Sequence, residues 1–153
     1  MRRAHSVRQA GQWDSAAAID RVVLDASERH RRRLVLTAEC GTTLLLDLPH
    51  ATTLKDGDGL VLDDGAVVRV IGKPEPLHEI AAANALELAR LAWHLGNRHA
   101  DVQLVGERLR IRRDHVLAEM LERLGAQVTA IEAPFDPESG AYDSHRHEHD
   151  RGS

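Results

Sequence analysis

Aromatic side chains are what this 153-residue chain has least of: one Phe, one Tyr and two Trp, 3% in all. Any core must therefore be built from Leu, Val, Ile and Ala. Cysteine is nearly absent as well. Cys40 stands alone, which excludes an internal disulfide framework and any Cys-x-x-Cys zinc site. There is no surplus of positive charge: 20 Lys and Arg face 24 Asp and Glu, a formal net charge of −4. A general nucleic-acid binder carries a basic face instead. Long hydrophobic runs are missing too. The richest apolar stretch, residues 80–95, is interrupted by Asn84, Glu87, Arg90 and His94, so no membrane span is expected. The opening Met1-Arg-Arg-Ala-His5 has no apolar run of signal-peptide length. A soluble cytoplasmic protein is expected, one that engages neither nucleic acid nor membrane.

Signatures of common catalysts are also lacking. The chain contains no Gly-x-Ser-x-Gly, no His-Glu-x-x-His and no Gly-x-x-x-x-Gly-Lys. Lys55-Asp-Gly-Asp-Gly59 resembles part of a calcium loop, but the later ligands and the closing glutamate are absent. A metal-dependent hydrolase would need a general base paired with a histidine cluster, and the spacing offers none. The expectation is a protein that is not an enzyme.

What is abundant is histidine, with ten residues. Three occupy alternate positions near the end: His145, His147 and His149. In an extended segment alternate side chains share a side, so these three can converge on one ion. Asp143, Glu148 and Asp150 add negative field around them. A solvated polar tail is the alternative. Neutral imidazoles suit borderline metals such as Ni(II), Cu(II) and Zn(II), and imidazole sites alone do not choose among these.

The pattern of the chain divides near residue 73. Before it lie short apolar runs at strand spacing: residues 3–8, 19–24, 34–38, 43–48, 60–62 and 66–71. Residues 26–33 read as a polar, basic connection and Pro49 as the end of a strand. Cys40-Gly41 and Asp63-Asp-Gly65 read as hairpin turns. Lys73-Pro-Glu-Pro76 breaks this pattern. Beyond it the period becomes 3.6. Ala82, Leu86, Ala89 and Trp93 share one face of a helix, and Leu88, Ala92 and Leu95 form a second apolar face. Gly96 reads as that helix's C-cap. A hairpin follows around Gly106-Glu107. Asp114 then caps a second helix with Val116, Leu117, Met120, Leu121 and Leu124 as its apolar face, and Gly125 can end it. Residues 127–131 read as a last strand. The expected fold class is α+β: a small all-β domain over residues 1–73, a ferredoxin-like β-α-β-β-α-β domain over 74–134, and a flexible His-rich tail over 135–153 that cannot order itself without metal. An RNA-recognition reading of the second domain fails for want of sheet aromatics.

Within that frame Trp93-His-Leu-Gly-Asn-Arg-His99 draws together a helix end, a turn and a histidine. A helix with so wide an apolar arc needs two surfaces, its own sheet and a partner subunit. A twofold axis would bring His99 from both subunits together. The other reading is that His99 only caps or hydrogen-bonds its own turn. His115 begins the second helix, where a lone histidine is ordinarily a surface residue.

These residues resemble the urease accessory protein E family, the nickel metallochaperones of urease maturation. The resemblance rests on Gly96-Asn-Arg-His99, on Asp114-His-Val-Leu-Ala-Glu-Met-Leu121, and on the exit segment Ala133-Pro-Phe-Asp-Pro-Glu-Ser-Gly-Ala-Tyr142 followed by a His-rich tail. Leu48-Pro49 and Asp56-Gly-Asp58 extend it into the first half. It implies a peptide-binding-like β domain and a metal-binding domain that forms a homodimer. It implies His99 as the interface metal ligand, His115 as a secondary ligand, and His145, His147 and His149 as tail ligands. Some members carry a histidine where this chain has Arg113. The resemblance further implies Ni(II) as cargo, with Zn(II) or Cu(II) as occupants in vitro, and delivery through the urease accessory GTPase to apo-urease and its other accessory proteins. The rival reading is a protein-interaction module of a maturation complex with incidental zinc or copper binding, in which Arg31, Arg32 and Arg33 meet an acidic partner.

Overall fold

Leu44, Leu46 and Leu48 are buried, while Leu45, Asp47 and Pro49 between them are not. This period of two makes a strand with one face on a core. The same alternation, Val22 and Leu24 against Arg21 and Val23, makes another. In the computed structural model, which describes residues 1–138, the chain forms two units. One takes Met1–Glu75 with Glu132–Asp136; the other takes Pro76–Ile131 with Pro137 and Glu138.

Six strands build the first unit: β1 (Arg2–Arg8), β2 (Asp20–Leu24), β3 (His30–Thr37), β4 (Thr43–Thr53), β5 (Gly59–Leu62) and β6 (Val67–Gly72). They lie in one sheet in the order β2-β6-β5-β1-β4-β3. The β1–β4 and β2–β6 pairs are parallel; β1–β5, β3–β4 and β5–β6 are antiparallel. The hairpin turns hold Gly41 at φ +96° and Gly65 at φ +87°, where a side chain would be strained.

Two expectations are corrected here. Pro49 does not close its strand; β4 continues to Thr53. The proline sits in an irregularity, since Arg31 pairs with Thr52 but Arg33 already pairs with Asp47. Extra β4 residues bulge out there, where a missing N–H costs no ladder bond. Residues 30–33 are likewise strand, not connection. Arg32 donates from Nε to the Leu48 carbonyl at 3.1 Å, so a polar sequence still has a reason to stay extended.

The buried charges of this unit each hold backbone groups in place. Asp20 accepts the N–H groups of Arg21 and Cys40 at 2.8 Å each and of Thr42 at 3.2 Å. Asp58 accepts those of Ala10 at 2.9 Å and Lys55 at 2.8 Å. Arg29, 2% exposed, donates to the Leu54 carbonyl at 3.2 Å, to the Phe135 carbonyl at 2.5 Å and to Asp136. Phe135 is itself buried, so the packed chain runs past the residue at which a tail was expected to begin.

The second unit is built from β7 (Glu75–Ala81), α1 (Ala85–Asn97), β8 (Gln103–Val105), β9 (Arg108–Arg112), α2 (His115–Arg123) and β10 (Gln127–Ala133), all but the first residue of β7 and the last two of β10, which belong to the first unit. Its sheet has the order β10-β7-β9-β8, with β9 antiparallel to both β7 and β8. Ile80, Leu109 and Ile111 of the sheet cluster with Leu91 and Leu95 of α1 and Leu121 of α2, so both helices cover one face. The buried side of α2 is Ala118 and Leu121, whereas Val116 and Leu124, expected to face inward, are exposed. Val116 lies in the first turn of this nine-residue helix and Leu124 is the C-cap residue just past its end. Together the units are mostly strand with a few helices, an α+β protein.

Two substitutions test the buried charges. Burial pushes the Asp20 carboxyl up, but its N–H donors outweigh burial and hold it well below the usual range. A folded pKa below the unfolded one means the stabilisation is complete above about 3.9 and fades as pH falls below it. In urea melts, wild type should exceed the Asp20→Asn protein at pH 7, and the gap should narrow steadily as pH falls below about 4. Arg29→Ala should cost about 3 kcal/mol in the same assay, the usual effect of stranding buried partners.

Candidate metal site

Helix α1 starts where the Asn84 side chain accepts the Glu87 N–H at 2.9 Å. Its other end places His99. Ala100 N–H reaches back to the Leu95 carbonyl at 3.1 Å and His99 N–H to the Gly96 carbonyl at 3.0 Å. These are the two bonds of a Schellman cap, whose penultimate residue must be left-handed. Gly96, expected to be that residue, lies inside α1. The left-handed residue is His99, at φ 56°.

Helix α2 ends with the same pair of bonds. Ala126 N–H meets the Leu121 carbonyl and Gly125 N–H the Glu122 carbonyl, both at 3.0 Å. There the left-handed position is Gly125, φ +94°. One fold thus solves one backbone problem twice, once with glycine and once with histidine. Among the described residues His99 is the only non-glycine at positive φ. A side chain there costs roughly 1–2 kcal/mol, and such strain, where it persists, concentrates at functional positions.

His99 is exposed and sits at the negative end of the α1 dipole, which favours a cation. Beside it in sequence the outer face of α1 is apolar and open: Leu86 is 62% and Trp93 64% exposed. His94 is half-buried and meets Trp93 edge-on with ring centroids 5.1 Å apart.

His115 is the first residue of α2, exposed, next to the cap Asp114 that accepts from Val116 and Leu117 N–H at 2.9 and 3.1 Å. A helix N-terminus carries the opposite sign, so that end alone attracts a cation less. Arg113 serves the framework, since its Nη2 donates to the Ile131 carbonyl at 2.8 Å and its backbone N–H to the Pro76 carbonyl at 3.1 Å. His78 accepts the Asp114 N–H at 3.4 Å. Burial and then the Arg113 charge push its pKa down, against Asp114 and Glu122.

His145, His147 and His149 lie outside the described residues. Among the described residues no group of three or more His, Cys, Asp or Glu side chains is placed to hold a metal ion. Cys40 is exposed at the β3–β4 turn. A hydrogen bond to Asp20, and then the charge of that carboxylate, push its thiol pKa up, so it is a poor thiolate ligand. No helix among the described residues is long and apolar enough to cross a membrane. Sequence reasoning found His99 but not its backbone state, for which the glycine three residues earlier was a misleading signal.

Comparison with known proteins covers both units. Residues 2–71 match a family described as UreE urease accessory protein, N-terminal domain, and residues 75–153 match its C-terminal domain. A urease accessory protein UreE of Rhodopseudomonas palustris (strain HaA2) is 54% identical over 142 residues, 93% of this chain and 66% of the relative. Those of Bradyrhizobium sp. (strain ORS 278) and Chelativorans sp. (strain BNC1) are 54% and 50% identical, over 97% and 86% of this chain and 70% and 83% of their own lengths. The chain spans about two thirds of the length of the first two of these relatives.

The strain at His99 is measurable without any ligand. His99→Gly should raise stability by about 1 kcal/mol in urea melts, the relief of strain less the added freedom of the unfolded chain. His99→Ala, which keeps a Cβ, should gain much less.

Proposed function

The chain belongs to the UreE family of urease accessory proteins, and from that premise we propose that it is a nickel-carrying metallochaperone, not an enzyme. It acts in the cytoplasm as a homodimer. The observation that carries this reading is the left-handed, exposed His99 at the cation-favouring end of α1. One imidazole is too few for a tight site. A twofold axis alongside the open Leu86–Trp93 face doubles it, because a self-complementary interface brings the same residue from each subunit together.

The second unit is then the metal-binding and dimerising domain, residues 74–134 in the bounds drawn from sequence. Its strand order β10-β7-β9-β8, with both helices on one face, supports reading it as ferredoxin-like. His145, His147 and His149 feed or complete the shared site. His115 is a secondary ligand; Arg113, held by two backbone carbonyls, takes the place of a possible third imidazole. Nickel passes to apo-urease through the accessory GTPase and the other maturation proteins, and the first unit grips a partner peptide. Zinc or copper can occupy the same imidazoles in vitro, since imidazole sites rank copper above nickel and hold zinc closely. The second reading, an interaction module with incidental metal, draws on the basic strand residues Arg31 and Arg33, both exposed.

Calorimetric nickel titration with a mass measurement of the oligomer tests the proposal. The dimer should hold about one tight nickel ion at the shared site, plus weaker ions that vanish when the chain is cut after Tyr142. Affinity should fall as pH drops through ~6, where imidazoles in general protonate. If His99→Ala changes neither stoichiometry nor affinity in the shortened protein, the shared site is refuted and the interaction module gains.

A further inference from the structure

The first unit holds a cavity of about 260 Å³ that the metal reading does not use, lined by Ser15, Ile19, Asp20, Arg21, Cys40 and Arg69. Arg21 of β2 and Arg69 of β6 are direct cross-strand partners. Like charges directly opposite are destabilising, so the pair needs an explanation. Half of it is at hand: Arg21 donates to Glu39 at 2.5 Å. Arg69 has no such acid among the described residues. Its Nε is buried with no hydrogen-bond partner among the described residues, and an orphaned buried donor costs about 1–3 kcal/mol. Asp20 also lines the cavity, but it is occupied by the N–H groups of Arg21, Cys40 and Thr42. With Glu39 on Arg21 and Asp20 beside it the charges balance, so what the lining leaves unmet is the Arg69 Nε donor.

We propose that this cavity receives a carboxylate side chain, Asp or Glu, presented by an extended segment of a partner protein, with Arg69 as its anchor. A carboxylate would satisfy the orphaned donor and separate the like charges, and Arg–carboxylate bonds are among the stronger kind. The surroundings favour a protein segment over a free anion. Ile19 and Val23, 46% and 45% exposed, flank Arg21 at alternate positions, and Ile71 pairs with Val23. A free anion has no use for an open apolar rim, whereas an acidic residue between apolar neighbours covers it. An arginine anchor inside an apolar surround is also the usual form of an interface hot spot. The site involves none of the histidines.

The test uses the full chain without metal, so its failure leaves the nickel reading untouched. A fluorescein-labelled short peptide with glutamate between valines is titrated by anisotropy, beside its glutamine counterpart. Sodium acetate and inorganic phosphate serve as free-anion competitors. The glutamate peptide should bind, and the glutamine peptide about tenfold more weakly, the size of one charge-assisted hydrogen bond. Arg69→Met should bring the glutamate peptide down to the glutamine level. It should also leave the melting temperature unchanged or raised, because an orphaned donor is gone; Arg33→Met should bind as wild type. The proposal is overturned by no binding, by equal binding of both peptides, by an Arg69→Met protein that binds undiminished, or by acetate or phosphate competing at concentrations similar to the peptide's, which would mark an adventitious ion only.

Discussion

The buried guanidinium of Arg29 is the constraint on which the chain's path depends. The chain leaves the first unit at Glu75 and comes back to it at Glu132. Its return is fixed by Arg29, whose Nη2 donates to the Phe135 carbonyl and whose Nη1 donates both to Asp136 and to the Leu54 carbonyl. A buried arginine is costly unless its donors are met. Here the Nη1 and Nη2 partners come from residues 54 and 135–136, while Nε has none among the described residues, so the charge is tolerated only with the segment docked. Phe135 and Pro134 complete the lock; a Cβ on Gly72 would come within 2.7 Å of Pro134, so only glycine lets the strap lie this close. The position from which the chain continues toward its histidines is therefore set by a polar interaction inside a β domain.

The same economy of backbone appears at the helix ends. Two helices finish with one cap geometry, and the left-handed residue is Gly125 in one and His99 in the other. Histidine at that position projects from a fixed point on a rigid helix end, with both capping N–H groups already bonded. The backbone supplies the preorganisation that side-chain hydrogen bonds supply at many metal sites. Strain in one residue is small beside the core that holds it, since Leu95, whose carbonyl accepts the Ala100 N–H, is fully buried.

Much of this was legible in the amino-acid pattern. Alternation gave the strands of the first unit, the change of period marked the helices, and Asp114 and Gly125 were readable as a start and a stop. What escaped was whatever depends on partners distant in sequence. Pro49 inside β4 follows from the register with β3, and the retention of Arg31–Arg33 in a strand follows from Leu48's carbonyl. The buried role of Arg29 needs a residue more than a hundred positions away. Gly96 looked like the cap because glycine is the cheapest left-handed residue. That the costlier His99 occupies the position instead is visible only in the dihedral angle. The Arg21–Arg69 juxtaposition likewise exists only through a parallel strand pair that no local pattern announces.

Release is the harder demand on a carrier, and the geometry at His99 bears on it. Resident metal sites usually steady each histidine through its second ring nitrogen, and that support raises affinity by one to two orders of magnitude. Among the described residues no hydrogen bond is made to the His99 ring, which stands exposed at a helix end. Position is thus fixed by the backbone while the ring itself is left unsupported. In the proposed dimer such a pair of imidazoles is aimed well and held weakly, with coordination positions left for donors that arrive from elsewhere. A ligand set that is incomplete in one chain, shared between two and open to additional donors suits an ion that must be passed on. A closed set of four, like those of structural zinc sites, would keep it.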